Sequence, residues 1–273
     1  MTIQVEILQF LHYNPSSSRV EISAGLTEAP NERTLKRIIA ELVQNGDVIV
    51  EGKGKATRYS LSAQAHLMMP LNIDTYFIKD IDERKVQESF NFQLIQDVLP
   101  RVTLFTPEEK IRLESAHKEF LANMETLSDL EYRKEMERLG VDLSWKSSQI
   151  EGNTYSLLET ERLLKEKQTA QGKTKEEAVM LLNHKDALDF ILDNPDYLKE
   201  LSVRRLEDIH SILTKELGVG NGIRKRRVGI TGTNYRPLDN EFQIREALED
   251  TCQLINGKEN VFEKALLIIV LLS

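Results

Sequence analysis

The sequence has little of what stabilises small secreted proteins, and it contains no long apolar run. Cys252 is the single cysteine among 273 residues, which excludes an intramolecular disulfide. The longest apolar run, Ala265 to Leu272, is far shorter than the roughly 20 residues that span a bilayer. The first residues lack the basic segment and cleavage site of a signal peptide. These absences predict a cytoplasmic protein with no membrane partner.

Motifs for nucleotide and metal binding are also missing. No phosphate-binding G-x-x-x-x-G-K-[ST] run occurs, and the glycine-rich stretch Gly218–Gly222 follows a predicted helix rather than a strand. The five histidines show no metal-ligand spacing, so the sequence predicts no metal site within residues 1–273. A formal net charge of −8 excludes a general nucleic-acid binder but permits one basic face on one domain. The length predicts two domains.

Residues 1–62 predict three helices followed by a β-hairpin. Apolar residues at helical spacing mark the first and third helices, with Ser18 and Asn31 placed to begin the second and third, and Gly46 placed to end the third. Two strand-like runs, DVIVEG and ATRYSLS, follow and are joined by KGK. This order of elements resembles a winged helix-turn-helix domain of α+β type.

Basic side chains decorate this first domain. They lie on the polar face of the third helix or along the hairpin, where they suit contacts with phosphates and base edges. The candidate DNA-binding residues are Arg33, Lys36, Arg37, Lys53, Lys55 and Arg58. Acidic neighbours dilute this surface, so duplex DNA and a protein partner both stay open as ligands.

Residues 63–105 form a predicted linker, with one helix over residues 81–99. From Thr106 onward the pattern is almost entirely helical. Predicted helix starts carry caps or capping boxes, namely Thr106, Ser156, Thr174, Ser202, Asn240 and Asn260. The helix that begins at Ser202 is predicted to reach Leu217, with Gly218 ending it. Valine and isoleucine alternation with turn residues predicts a short hairpin over Val228–Pro237.

The segment SSQIEGN contains the most informative spacing. Ser147 and Glu151 are four residues apart and therefore share one face of a predicted helix, which Gly152-Asn153 ends. A glutamate in the last helical turn is unfavourable beside the negative end of the helix dipole. We therefore expect a cation to offset the charge of Glu151. Trp145, the only tryptophan, is expected to pack rather than to function.

This segment resembles the inhibitory motif [S/T]-x-x-x-E-[G/N] of the Fic family, through Ser147, Glu151 and Gly152. The helices predicted over Glu176–Ile191 and around LEDIHSIL, and the hairpin after GIRKRR, resemble the helices and flap of the Fic core. The likeness covers roughly residues 106–273. It implies a mainly α fold, with an all-helical Fic core and a short β-hairpin flap after the winged-helix domain.

The resemblance implies a protein adenylyltransferase, which transfers AMP from ATP to a hydroxyl of a target protein with Mg²⁺ bound. Glu151 is then autoinhibitory and pairs with an arginine of the ATP site. The flap docks the nucleotide or the target segment through Val228, Gly229, Ile230, Thr231, Gly232, Thr233 and Asn234.

The family's catalytic loop, H-P-F-x-[D/E]-G-N-G-R-x-x-R, does not occur in residues 1–273. We therefore expect the catalytic base and the Mg²⁺ ligand beyond Ser273, and we expect the 273-residue chain to be inactive and truncated. Three alternatives stay open. One is a DNA-binding regulator whose Fic-like part senses a ligand or forms a homodimer. The others are removal of AMP and transfer of another phosphate-containing group.

Overall fold

A computed structural model describes residues 2–70, 73–78, 80, 83, 88–220, 222–230 and 232–272. The chain divides into two compact units. The first comprises Met1–Val86, Gln96–Leu104 and Gly232–Asn234, and the second comprises Gln87–Ile95, Phe105–Thr231 and Tyr235–Ser273. The described part is mainly helical and contains one two-stranded antiparallel sheet.

The first unit begins with three helices and a hairpin, as the sequence predicts. The elements are α1 (Ile3–Tyr13), α2 (Arg19–Gly25), α3 (Glu32–Gln44), β1 (Val48–Glu51) and β2 (Arg58–Leu61). Ser18 begins α2 with a capping box, and the Asn31 side chain accepts a hydrogen bond from Thr34 N at 2.9 Å to begin α3. Both predicted caps are confirmed.

The core of the first unit lies where the apolar faces of α1, α2 and α3 meet. Ile7, Leu11, Ile22 and Leu35 are all at most 1% exposed, and β1 adds Val48 to the same cluster. The hairpin is antiparallel, with Val48 opposite Leu61 and Glu51 opposite Arg58. Because the apolar face of α3 packs into this core, the opposite face of the helix is exposed to solvent.

Two short helices, α4 (Ala63–Leu67) and α5 (Ile73–Ile78), follow the hairpin. Gln64 exchanges hydrogen bonds of 2.8 Å with the backbone N–H and C=O of Thr103, which ties α4 to the residues before Phe105.

The single helix predicted over residues 81–99 is confirmed only in part where the structure describes that range. Residues 88–91 are not helical, whereas residues 92–98 are, with a π-helical stretch over Leu94–Val98. Arg236 N donates to Glu88 O at 2.8 Å, and Ser89 forms a parallel bridge with Arg236. A partner distant in the sequence thus replaces the local helical hydrogen bonds.

The second unit contains seven long helices among its described residues. They are α6 (Pro107–Glu125), α7 (Asp129–Ile150), α8 (Leu157–Glu166), α9 (Lys175–Asp193), α10 (Val203–Leu213), α11 (Glu241–Gly257) and α12 (Val261–Leu272). The predicted caps at the starts of these helices are confirmed by side-chain hydrogen bonds. No helix in the described ranges is both long enough and apolar enough to cross a membrane.

Helix α10 ends earlier than predicted, at Leu213 instead of Leu217. The Asn183 side chain donates to Leu213 O at 3.0 Å and to Lys215 O at 2.7 Å, which satisfies carbonyls that a longer helix would have used. Glu216 then adopts a left-handed φ of +60°. A buried amide from α9 therefore decides where α10 stops.

Helices α7 and α9 pack along a face of small residues. Gly140, Ser144 and Ser148 recur every four residues on α7 and are buried. Even a methyl group at Gly140 would approach only the Lys185 Cδ of α9, at 4.0 Å. The position of Gly140 beside α9 therefore has room for a methyl group, and the small buried side chains of Ser144 and Ser148 follow on the same face of α7.

Candidate functional site

The candidate site lies at the C-terminal end of α7. Its last helical residue is Ile150 and Glu151 is its C-cap, so the helix ends one residue earlier than predicted. Gly152 has a φ of +87°, a left-handed conformation that glycine adopts without strain. Ser147 is half-buried and Glu151 is exposed. The structure therefore keeps Ser147, Glu151 and Gly152 together and leaves the Glu151 carboxylate accessible to solvent.

Asn153 anchors the segment that follows Glu151. Its backbone N–H donates to Ser148 O at 2.9 Å, and its side-chain amide donates to Glu177 O of α9 at 2.8 Å. Its side-chain oxygen accepts from Tyr155 N at 3.0 Å. Asn153 is 7% exposed, so this buried amide uses both of its polar ends to fix the turn.

Glu177 adds a second anchor between α7 and α9. One carboxylate oxygen accepts from Thr154 N at 2.8 Å and from Thr154 Oγ1 at 2.5 Å, while the other accepts from Thr174 N at 2.9 Å. These hydrogen bonds to the ionised carboxylate lower the pKa of Glu177 to about 2. Thr154 has a further contact through its backbone oxygen, which accepts a hydrogen bond from Lys173 Nζ at 2.5 Å.

Tyr155 is the third residue that anchors the turn after Glu151, and its side chain is buried. It is 1% exposed, its backbone oxygen accepts from Trp145 Nε1 at 3.0 Å, and its hydroxyl accepts from Ala170 N at 3.3 Å. Trp145 thus has a packing and hydrogen-bonding role, as expected. Since Asn153, Thr154 and Tyr155 are all held by other elements, the position of Glu151 is fixed by its neighbours in the chain.

The charge environment of Glu151 differs from the expectation of a cationic partner. Within the described ranges, no Lys or Arg side chain forms an ion pair with Glu151. His184 of α9 is half-buried and near enough to interact with it electrostatically. Burial lowers the pKa of His184, and the Glu151 carboxylate opposes that shift without reversing it. Sequence patterns did not connect these two residues, because they lie on different helices.

The hairpin predicted over Val228–Pro237 is wrong among the described residues. Val228, Gly229, Ile230, Gly232, Thr233 and Asn234 are not in strands, and Thr231 lies outside the described residues. Val228 and Ile230 are 48% and 52% exposed. Alternating apolar residues form a strand only where a partner exists, and the single bridge in this region joins Arg236 to Ser89 instead.

The basic run before this segment is tied to the residues just before α11. Arg224 donates to Leu238 O at 2.5 Å, Arg227 pairs with Asp239 at 2.7 Å, and Lys225 pairs with Glu241 at 3.6 Å. These side chains are exposed, so the pairs contribute little to stability. These contacts place residues 224–227 beside residues 238–241 at the start of α11.

The second unit also contains an open, mostly apolar cavity of about 800 Å³. Leu206 and Ile209 of α10, Ile244 and Leu248 of α11, and Ile268 of α12 line it, together with residues 222–224, 228, 230, 235, 237 and 238. Glu207, which pairs with Arg245 at 3.7 Å, is among its few charged lining groups. The size suits a ligand or a further apolar element.

The six basic residues predicted for DNA contact fall into two groups in the first unit. Arg33, Lys36, Arg37, Lys53 and Lys55 are exposed. Arg37 pairs with Glu41 at 2.5 Å. Arg58 is half-buried and donates to Thr57 O at 3.1 Å.

In the described part of the chain, no group of three or more His, Cys, Asp or Glu side chains is placed to hold a metal ion. Comparisons with protein-family models, with curated proteins and with solved structures found no match for this chain.

Proposed function

We propose that this chain is the regulatory and substrate-docking part of a Fic-type protein adenylyltransferase, autoinhibited by Glu151. The motif from Ser147 to Gly152 carries the proposal. It lies at the end of a 22-residue helix, and its glutamate is exposed there. The anchors through Asn153 and Thr154 support a gating role, because an inhibitory carboxylate must be held at one place to compete with a bound phosphate.

The electrostatics favour the same role. Glu151 stands at the negative end of the α7 dipole, where a carboxylate is destabilised. It has no Lys or Arg ion-pair partner within the described ranges. An arginine that binds the γ-phosphate of ATP would be such a partner. While it pairs with Glu151, it cannot hold the phosphate.

The chemical step needs groups that residues 1–273 do not contain. The sequence lacks the H-P-F-x-[D/E]-G-N-G-R-x-x-R loop that supplies the family's general base. In the described part of the chain, no group of three or more His, Cys, Asp or Glu side chains is placed to hold the Mg²⁺ that the resemblance implies. Within residues 1–273 we therefore propose gating by Glu151 and docking of the target along residues 228–230, where Val228 and Ile230 are about half exposed.

The test begins with the natively expressed protein, whose intact mass shows whether the catalytic loop accompanies these residues. AMP incorporation from labelled ATP into total protein is then compared between the wild type and Glu151→Gly. We expect the variant to incorporate about tenfold more AMP or better, since loss of one charged competitor is worth at least ~1.4 kcal/mol.

Glu125→Gly is the matched control. Glu125 is likewise an exposed glutamate at the C-terminal end of a helix, α6, and it lies outside the motif. It should leave AMP incorporation unchanged. Equal incorporation by wild type and Glu151→Gly, or an equal rise with Glu125→Gly, would contradict gating by Glu151.

The second candidate function is that of a DNA-binding transcriptional regulator. One specific observation favours it, which is that five of the six basic residues predicted for DNA contact are exposed. The two functions use different units and are compatible within one protein.

A further inference from the structure

We infer that helix α6 is a strap that lifts from the start of α12, and that the buried carboxylate of Glu263 decides how easily it lifts. Helix α6 spans Pro107–Glu125 and contains no buried residue. Helices such as α7 and α9 pack along their lengths, whereas α6 packs in this way against no described helix or strand. Segments with few buried contacts open at a low cost in free energy. Such a movement is independent of AMP transfer.

The apolar face of α6 is only partly covered. Helical spacing places Leu113, Phe120, Leu121 and Met124 on this one face. Leu113 and Met124 are half-buried, but Phe120 and Leu121 are 52% and 47% exposed. An amphipathic helix that is fully packed buries such a face. Helix α6 therefore rests on the second unit without being enclosed by it.

Two contacts join α6 to the first turn of α12. Lys110 Nζ lies 3.7 Å from Glu263 Oε1. The His117 ring lies edge-on to the Phe262 ring, with the ring centroids 5.9 Å apart. Lys110 and His117 are seven residues apart and therefore lie on the same face of α6 as Leu113. Because both contacts reach neighbouring residues of α12, they break together when α6 lifts.

Glu263 has a second cation beside it, which makes the contact with Lys110 easy to release. It is the only Asp or Glu that is buried among the described residues, at 5% exposed. Its Oε2 lies 3.6 Å from Nζ of Lys258, whose side chain is 10% exposed, whereas the Lys110 side chain is 32% exposed. A buried carboxylate that loses its partner is strongly destabilising. Since Lys258 stays beside Glu263, Lys110 can leave without that cost.

Local hydrogen bonds close both ends of α6, and lifting would not break them. The Thr106 capping box begins the helix, and Thr126 N donates to Asn123 O at 3.2 Å where it ends. Helix α7 begins with a separate capping box at Ser128. Since neither helix depends on the other for its caps, α6 can move as an intact helix on the connecting residues 126–128.

The experiment measures the rate at which a thiol reagent reaches the covered face of α6. Leu113→Cys is introduced into the full 273-residue chain, and the unchanged chain gives the background from the buried Cys252. Adding Lys110→Met should raise the labelling rate about three- to tenfold, since it removes one ion pair of a buried carboxylate. Lys258→Met should instead lower the rate, because lifting would then leave Glu263 without either lysine.

Lys118→Met is the matched control, because Lys118 is an exposed lysine of α6 and its replacement changes the net charge equally. It should leave the labelling rate unchanged. Lys110→Arg keeps the charge and should keep labelling slow, which separates the ion pair from packing. Added salt should speed labelling when Lys110 is present and have little effect with Lys110→Met. Ala122→Cys, at an exposed position of α6, gives the rate for an accessible thiol, and circular dichroism confirms that each variant is folded.

Four results would overturn the inference. Equal effects of Lys110→Met and Lys118→Met would show that the ion pair does not hold α6. A rise with Lys258→Met as large as that with Lys110→Met would exclude the exchange of partners at Glu263. Labelling of Leu113→Cys as fast as that of Ala122→Cys would show that α6 is not fastened, and labelling at the background rate in every variant would show that it does not lift. None of these outcomes bears on AMP transfer, which is measured separately through Glu151.

Discussion

The two units of this protein bury their apolar residues differently. In the first unit the faces of α1, α2 and α3 close on one another, and Ile7, Leu11 and Leu35 are almost completely buried. In the second unit Leu181 of α9 is likewise fully buried, but α6 buries no side chain fully and Ile269 of α12 is 66% exposed. The apolar cavity adds to this contrast. Helical periodicity shows which face is apolar, but only packing shows whether that face is covered.

The largest expected effect comes from truncating one leucine in each unit. Leu35→Ala removes a fully buried side chain and should lower the free energy of unfolding of the first unit by about 2–5 kcal/mol. Leu206→Ala, which lines the open cavity, should cost only about 1–2 kcal/mol in the second unit. Native-state hydrogen exchange resolves the two units. Equal losses would show that the cavity is filled as tightly as the first core.

Two helical glycines give a smaller effect, with opposite signs in the two units. A methyl group at Gly25 would lie 2.1 Å from the Phe10 ring, so Gly25→Ala should destabilise the first unit by about 1–3 kcal/mol. At Gly140 the nearest atom would be 4.0 Å away, and Gly140→Ala should stabilise α7 by about 0.5–1 kcal/mol. Thermal unfolding measures both. Stabilisation by Gly25→Ala would contradict the close packing of Phe10 on α2.

Two capping glutamates, Glu177 and Glu21, allow the stability from long-range hydrogen bonds to be compared with the stability from a local cap. Glu177 bonds Thr154 as well as its own cap, whereas Glu21 bonds only the Ser18 cap. Glu177→Ala should cost the second unit about 1–2 kcal/mol at pH 7, after allowance for solvent screening. Glu21→Ala should have a smaller effect.

The effect of Glu177 should depend on pH with a defined sign. Its folded pKa of about 2 lies below the ordinary 4.5, so its stabilisation is complete above pH 4.5 and is lost as the pH falls toward 2. Wild type and Glu177→Ala should therefore converge in stability over this range. A stability difference that persists unchanged at pH 2 would contradict the ionised contact with Thr154.

The smallest expected effect concerns His184, in the second unit. Burial lowers its pKa and the Glu151 carboxylate opposes the change, so Glu151→Gln should lower the pKa further. Proton NMR titration of the imidazole measures the shift. His66 in the first unit serves as the reference, and an equal shift at both histidines would show that Glu151 does not act on His184 directly.

The comparison also shows which features the sequence could predict. Caps such as Ser18, Asn31 and Thr174 were correct, because a cap depends on residues only three positions apart. The end of α10 and the non-helical segment around Ser89 were not predictable, since Asn183 and Arg236 decide them from far along the chain.

At the candidate site, spacing correctly placed Glu151 beside Ser147 at the end of α7. The spacing did not reveal the hydrogen bonds that join Asn153 and Thr154 to Glu177. The predicted capping box of α9 gave Glu177 only a local role, at the start of its own helix. The neighbouring His184 carried no pattern that would have distinguished it from a structural histidine.

The double anchor of the turn after α7 has a kinetic consequence. Because Asn153 and Thr154 are both held to α9, the backbone at Glu151 has no hinge of its own on which to move aside. Any group that pairs with this carboxylate must leave by its own dissociation. The residence time of such a partner is then set by the strength of one ion pair and by the ligands that compete for it, and not by the opening rate of a loop.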